Sequence, residues 1–403
     1  MAPSVIVAPA VTEQDVPIVT KGRAQPLVSS GLLDQFEQFD VTPVIGTEFS
    51  ISQRGVVFFR AQDDLTNDIQ KALVQRLGEL TGKPKTSGLH IHPILNSSRE
   101  LGGSDPEISA INSVQRKKLY GTAAGEEPTA KPQSAARWHS DIAFEPVPAD
   151  YSSLRLINLP RTGGDTLWAS GYELYDRISE PYQKFLEGLT GTFAQPGFSA
   201  TAARGNFELY EKPRGAPENV GSAMKAVHPV VRTNPVTGWK SLFPVGGHIQ
   251  YINGVTEEES EALLSWFLDL VYKNHDLQLR FKWKNSNDIA IWDNRSTFHR
   301  ATYDHDGQGE RLGNRAVGLG ERPYFDPNSK SRREALREHA PGEKIVTLRF
   351  GGSRMRIAHR SISRSIKEKC EEPFKTGFGR KRMRIRERDS YAYQASNQLI
   401  ELS

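Results

Sequence analysis

The sequence predicts a mainly β fold with flanking helices, a β-sandwich or jelly-roll barrel. Three observations carry that expectation. Short runs rich in Val, Ile, Phe, Tyr and Trp recur along the chain, few segments show a long helical period, and strands and helices do not alternate in the manner of a parallel α/β sheet. With 37% hydrophobic and 25% charged residues over 403 positions, a sizeable core can be buried.

Taken in order, residues 1–30 mix Pro, Val and Gly without period and read as an N-terminal arm. Residues 42–46 and 55–60 read as strands, the second an apolar run of β-branched and aromatic residues. N-cap candidates at 64–68 open a helix whose apolar face is expected to be Ile69, Leu73, Leu77 and Leu80. In Leu89-His90-Ile91-His92-Pro93 the two histidines fall on one face, where they are either ordinary polar residues near a strand end or, for at least one of them, part of a pocket lining.

Residues 96–136 are rich in Ser, Gly, Pro and charge, as in a long functional loop or lid, or else a disordered segment. A strand follows at 151–157, then a tight turn at 163–168 entering another. Ser170 caps a helix, and Phe185, Leu186 and Leu189 are expected to form the buried face of the next. Strands at 226–232 and 240–245 flank a hairpin turn at 234–238. Residues 257–275 form an amphipathic helix through Leu263, Trp266, Phe267, Leu270 and Val271. Strands at 277–283, 288–293 and 311–319 complete the series. No internal repeat is visible.

Cys370 is the only cysteine, which excludes an intramolecular disulfide and a cysteine-based zinc or iron–sulfur site. No apolar run reaches membrane-spanning length and no secretory pattern opens the chain, so a cytoplasmic protein without a membrane partner is expected. The net charge of +4 gives no argument for nucleic acid.

The chemistry concentrates in Trp138-His139-Ser140-Asp141. A histidine and an aspartate two apart in extended chain point to one side. With His299, which follows the run 288–293, they make the two-histidine, one-carboxylate set of non-haem Fe(II) oxygenases. A 2-oxo acid would then serve to reduce dioxygen, and its distal carboxylate needs a fixed cation. Arg311 and Arg315, four apart on the strand after His299, offer planar forks for it, and Thr166 offers a hydroxyl. His-x-Asp alone arises often by chance; the combination is what carries weight.

These motifs resemble the Fe(II)/2-oxoglutarate dioxygenases of the taurine dioxygenase (TauD/TfdA-like) family, especially fungal sulfonate dioxygenase-like members. The resemblance covers about Val41 to Leu336, through the His90–Pro93, Trp138–Asp141, Gly163–Trp168 and Asp288–Arg295 motifs, His299 and the two arginines. It implies a double-stranded β-helix (jelly-roll) core over residues 31–340, with His139, Asp141 and His299 as catalytic metal ligands. It further implies that Thr166 and Arg311, with Arg315 beside them, bind 2-oxoglutarate, and that Arg315 faces a small-molecule anionic substrate. His92, Leu95, Ala135 and Phe243 would line that substrate pocket.

The family reaction consumes O2 and 2-oxoglutarate and releases succinate and CO2. A sulfonate hydroxylated beside sulfur would give aldehyde and sulfite. Taurine-specific members carry tyrosine where this chain has Leu95 and asparagine where it has Ala135. The expected substrate is therefore a larger, less polar sulfonate, or alternatively an amino acid or aryloxy carboxylate.

Residues 341–403 read as a basic extension without regular structure, densest at 379–386. It is read as solvated, because few aromatics interleave its charges, with a nucleic-acid patch as the sharper alternative. Two other functions stand against the dioxygenase: a catalytically inactive fold acting as a binding module through that tail, and a cupin-like metal enzyme, which would need neither Arg311 nor Thr166. The sequence leaves a homo-oligomer open.

Overall fold

The structure, a computed structural model, describes residues 45, 55–96, 105–120, 138–339, 344–350 and 353–359. The predicted arm at 1–30 lies outside these residues. The chain divides into two units, Met1–Arg332 and Arg333–Ser403.

The first unit opens with β1 (Val56–Phe59), α1 (Asn67–Leu80), β2 (Ile108–Asn112) and α2 (Ser113–Tyr120). Next come β3 (Ala149–Asn158), β4 (Thr166–Ser170), α3 (Gly171–Asp176), α4 (Glu180–Glu187), β5 (Thr190–Ala194) and α5 (Pro196–Gly205). Four short strands follow, β6 (Lys225–Pro229), β7 (Val231–Thr233), β8 (Lys240–Leu242) and β9 (Ile249–Asn253), and then α6 (Glu257–Lys273). The last elements are β10 (Gln278–Phe281), β11 (Ile289–Asp293), β12 (Thr297–Ala301) and β13 (Leu312–Leu319).

Strands β1-β11-β3-β13-β2 form one antiparallel sheet and β10-β4-β12 a second. Their facing side chains make one core: Val56, Leu154, Leu156, Ala290 and Trp292 from the first meet Trp168, Leu279 and Phe281 from the second. This is the predicted sandwich, with a jelly-roll core. The strand order is far from sequence order, so residues more than a hundred positions apart share each sheet.

Helix α6 begins with a capping box, Thr256 and Glu259 each satisfying the other's main-chain N–H. It buries Leu263, Phe267 and Val271. Helix α1 is rotated from its expected face. Ile69, Leu73 and Leu80 are exposed, whereas Gln70, Val74 and Gly78 are buried. Gln70 explains the rotation, because its Nε2 donates to Ser153 O and Oγ and to Asn314 O, tying α1 to β3 and β13. Phe185 is exposed as well, leaving Leu186 as the buried residue of α4.

Two further stretches differ from the reading above. The supposedly irregular stretch 96–136 contains β2 and α2, the strand paired to β13. Helix α7 (Arg332–His339) begins at the last residue of the first unit; in the second unit β14 (Lys344–Phe350) and β15 (Ser353–His359) pair antiparallel within the predicted irregular extension. The dense basic run at 379–386 lies outside the described residues. Among the described residues no helix is long and apolar enough to cross a membrane.

Candidate active site

His139 and His299 are a cross-strand pair. Each main-chain N–H donates to the other's carbonyl, at 3.1 and 2.9 Å. Directly opposed residues present side chains on one face, and the imidazole centroids lie 4.3 Å apart. Asp141 joins them after the chain turns: its Oδ1 is 3.8 Å from His139 Nε2 and 3.9 Å from His299 Nε2. One donor atom from each of the three lies within 4.8 Å of the others, and they are the group among the described residues able to hold a metal. A single ion fits between donors so spaced. Strand alternation accounts for only part of this, because 141–144 form a turn with Ile142 at φ 61°. That conformation costs a β-branched residue about 1–3 kcal/mol.

Asp141 is held from three sides. Ser152 on β3 donates its hydroxyl to Asp141 Oδ2 at 2.8 Å. Asn294, in the β11–β12 turn, donates Nδ2 to Ser152 Oγ and accepts the Asp141 N–H and Trp292 Nε1–H on its Oδ1. Arg315 places Nη1 2.6 Å from Oδ1. Burial by itself would raise the Asp141 pKa, but Arg315 and the two imidazoles hold it well below the usual carboxylate range. Burial takes His299 down to about 3, so its ring is neutral and has a lone pair to give. The Trp292 ring lies 4.7 Å from His299.

Thr166 and Arg311 meet as expected. Arg311 donates Nε to Gly164 O at 2.8 Å and Nη2 to Thr166 Oγ1 at 3.3 Å. Trp283 Nε1–H also donates to that hydroxyl, so its hydrogen is left to donate elsewhere. Burial lowers the Arg311 pKa only to about 10, and the group stays charged. These residues fit an anion such as the distal carboxylate of 2-oxoglutarate. Arg315, expected beside them, is committed to Asp141 instead.

A cavity of about 950 Å3 joins the two ends, reaching from Arg311 and Thr166 past the histidines to His92, Leu95 and Arg315. His92 Nδ1 accepts from the N–H groups of Ile94 and Leu95, leaving Nε2 as the protonated nitrogen. Burial keeps it neutral, with a pKa of about 3. His90 is buried and is not in the cavity wall.

Phe243 is a correction. It is buried in the core against Phe193 and His228 and does not line the cavity. Alternation along a strand cannot separate an apolar core face from an apolar pocket face. Ala135 lies outside the described residues. The walls instead include Ile142, Phe144, Phe198 and His248, none of which the sequence singled out. Gly246-Gly247 was the available signal for His248. A Cβ at Gly246 (φ 91°) would stand 1.5 Å from Trp138 O, so this backbone can pack onto the metal-site strand only as glycine, and it carries the His248 ring to 5.4 Å from His139.

The comparisons with known proteins agree with this architecture. The profile of the family described as "Taurine catabolism dioxygenase TauD, TfdA family" matches residues 48–317. The "Alpha-ketoglutarate-dependent dioxygenase btcD" of Neocamarosporium betae is 50% identical over 341 residues, covering 77% of this chain and 98% of the relative. The "Alpha-ketoglutarate-dependent sulfonate dioxygenase" of Saccharomyces cerevisiae is 30% identical over 277 residues, covering 68% of this chain and 60% of the relative. Among solved structures, a taurine dioxygenase from Burkholderia xenovorans has the same fold, with a TM-score of 0.52 at 24% identity, covering 73% of this chain and 92% of the other. Matched by the profile over most of its length and by a relative at half identity, the chain belongs to the TauD/TfdA family of dioxygenases, enzymes that use Fe(II), 2-oxoglutarate and O2.

Proposed function

We propose that this enzyme hydroxylates a small anionic substrate, an alkyl sulfonate, with iron held by His139, Asp141 and His299 and 2-oxoglutarate anchored by Thr166 and Arg311. The observation that carries the reading is the cross-strand histidine pair facing Asp141 Oδ1. Bound together, iron and 2-oxoglutarate supply the oxidation, in which O2 is consumed, succinate and CO2 are released and a substrate C–H becomes C–OH. Hydroxylation of the carbon bearing a sulfonate yields aldehyde and sulfite.

The protein's own part is positioning. Ser152 holds Asp141 Oδ2 and Arg315 pairs with Oδ1, so the carboxylate is turned with Oδ1 toward the two histidines. His92 presents an Nε2–H to the substrate end, and Arg315 brings a guanidinium there. Leu95, Ile142, Phe144 and Phe198 keep that end apolar, which suits a substrate with a hydrocarbon body and one anionic group. A relative named as a sulfonate dioxygenase supports the anion as sulfonate. The same donors and apolar walls would take a carboxylate, such as an aryloxy acid, and this is the second reading. Sulfite release from a panel of alkyl sulfonates, with Fe(II), ascorbate and 2-oxoglutarate, decides between them. No sulfite from any sulfonate, with succinate formed in the presence of a carboxylate, would overturn the first reading in favour of the second.

A further inference from the structure

The cosubstrate end of the cavity has a second cationic wall. Strand β2 pairs with β13, Asn112 opposite Leu312, so α2 starts beside the point where Arg311 enters the sheet. Ser113 fastens the two: its N–H donates to Arg311 O at 2.9 Å, and Arg311 N–H donates to Ser113 Oγ at 3.0 Å. Asn112 Oδ1 accepts the N–H groups of Val114 and Gln115 and fixes the first turn. One turn on, the Arg116 guanidinium sits 3.9 Å over the Tyr303 ring. Lys117 reaches Asp306 at 2.9 Å, joining α2 to the same loop as Tyr303. Arg116, Lys117, Tyr303 and Arg311 all line the cavity.

Arg116 and Arg311 therefore face one cavity from two walls, and their charges oppose each other. Two like charges on facing walls favour an anion placed between them. Stacking on Tyr303 offsets part of that repulsion and fixes where the guanidinium points.

We propose that Arg116 is a second cosubstrate-binding cation, which shares the distal carboxylate of 2-oxoglutarate with Arg311 and is held in place by Tyr303. The proposal rests on the assignment of Thr166 and Arg311 to that carboxylate. It makes α2 a functional wall of the cosubstrate site, and Arg116 a group whose loss weakens 2-oxoglutarate binding.

The experiment is calorimetric titration of the Mn(II)-loaded full-length protein with 2-oxoglutarate and with 2-oxobutyrate, which lacks the distal carboxylate. Arg116→Gln is expected to raise the Kd for 2-oxoglutarate about tenfold, the scale of losing one charged hydrogen bond. The Kd for 2-oxobutyrate should stay within twofold of wild type. Tyr303→Leu should shift only the 2-oxoglutarate Kd, in the same direction and by less. Arg116 also opens an Arg-Lys-Lys run, so 2-oxoglutarate should slow tryptic cleavage there in the wild type.

An unchanged 2-oxoglutarate Kd in Arg116→Gln, with a large rise in Arg311→Gln, overturns the proposal and leaves the parent assignment standing. An equal rise for both ligands overturns it too, because the effect would then not act through the distal carboxylate. If Arg311→Gln leaves 2-oxoglutarate binding intact, the parent assignment fails and the proposal falls with it.

Discussion

The two sides of the one cavity are built by different means. On the metal side, each group is fixed by its immediate neighbours: a cross-strand hydrogen-bonded pair for the histidines, and Ser152 and Asn294 for Asp141. On the substrate side, the wall at 142–147 is held from behind by buried polar groups distant in sequence. Arg214 grips Glu145 through two bonds, at 2.5 and 3.1 Å. Asn219 exchanges hydrogen bonds with the Val147 main chain, and His228 Nε2 reaches the carbonyls of Ala143 and Glu145. The metal side depends on register, and the substrate side on charges that must remain paired out of water. Chemistry common to a family suits the first arrangement. A wall that can be re-shaped without disturbing the ligands suits the second.

If that division holds, changes on the metal side should remove chemistry and spare the fold, and changes behind the wall should do the reverse. The largest effect is expected from His139→Ala. Succinate formation should fall at least about a thousandfold, the order seen when one member of a catalytic unit is removed. Its urea midpoint should stay near wild type, because His139 contributes to the pairing with His299 through its main chain. Loss of the cooperative unfolding transition would show that the metal side is structural as well.

Arg214→Ala tests the other side. Arg214 and Glu145 are both fully buried, and the raised Glu145 pKa, pushed up by burial and opposed by Arg214, marks a carboxylate that depends on its partner. Stranding it should cost about 3–5 kcal/mol in urea denaturation, with the metal affinity of the folded fraction unchanged. Ser152→Ala is milder. Removing the one hydroxyl on Asp141 Oδ2 should weaken Mn(II) binding about 10–100-fold, read by titration, with little loss of stability. An unaltered affinity would mean that Arg315 and Asn294 suffice to orient the carboxylate.

The same division explains what the sequence could reveal. His139 and Asp141 were legible as a short motif and His299 as the residue type that completes their ligand set, although the cross-strand register that joins them lies far along the chain. Thr166 with Arg311 was legible through the Gly163–Trp168 motif and the arginine-bearing strand that follows His299. The substrate wall was not. Phe144, Phe198 and His248 reach the cavity by long-range packing, which no local period encodes, and Phe243 has the same strand pattern whether it faces core or pocket. Helix α1 failed for a related reason. Two adjacent stripes compete for burial there, and the winner carries Gln70, whose three bonds to β3 and β13 outweigh a more apolar face.

The finest test is the pH dependence of stability through His228, which lies behind the wall and away from the metal ligands. Burial, with the charge of Arg232 adding to it, lowers its pKa from 6.5 to about 3. The unfolded chain therefore binds a proton below pH 6.5 that the folded protein refuses until about pH 3. Stability is complete above 6.5 and falls as the pH drops through that window, by at most about 1.4 kcal/mol per pH unit for this one group. His228→Gln can keep a side-chain N–H for the carbonyls of Ala143 and Glu145 while removing the titration. It should lower stability somewhat at pH 7.5 and flatten the acid limb of the urea midpoint between pH 6.5 and 4. An acid limb as steep as wild type would assign the dependence to the imidazoles His92, His248 and His299, whose pKa values also lie near 3. All three line the cavity, so acid would then loosen the metal and substrate sides together, and the division between the two walls would fail where it is most easily measured.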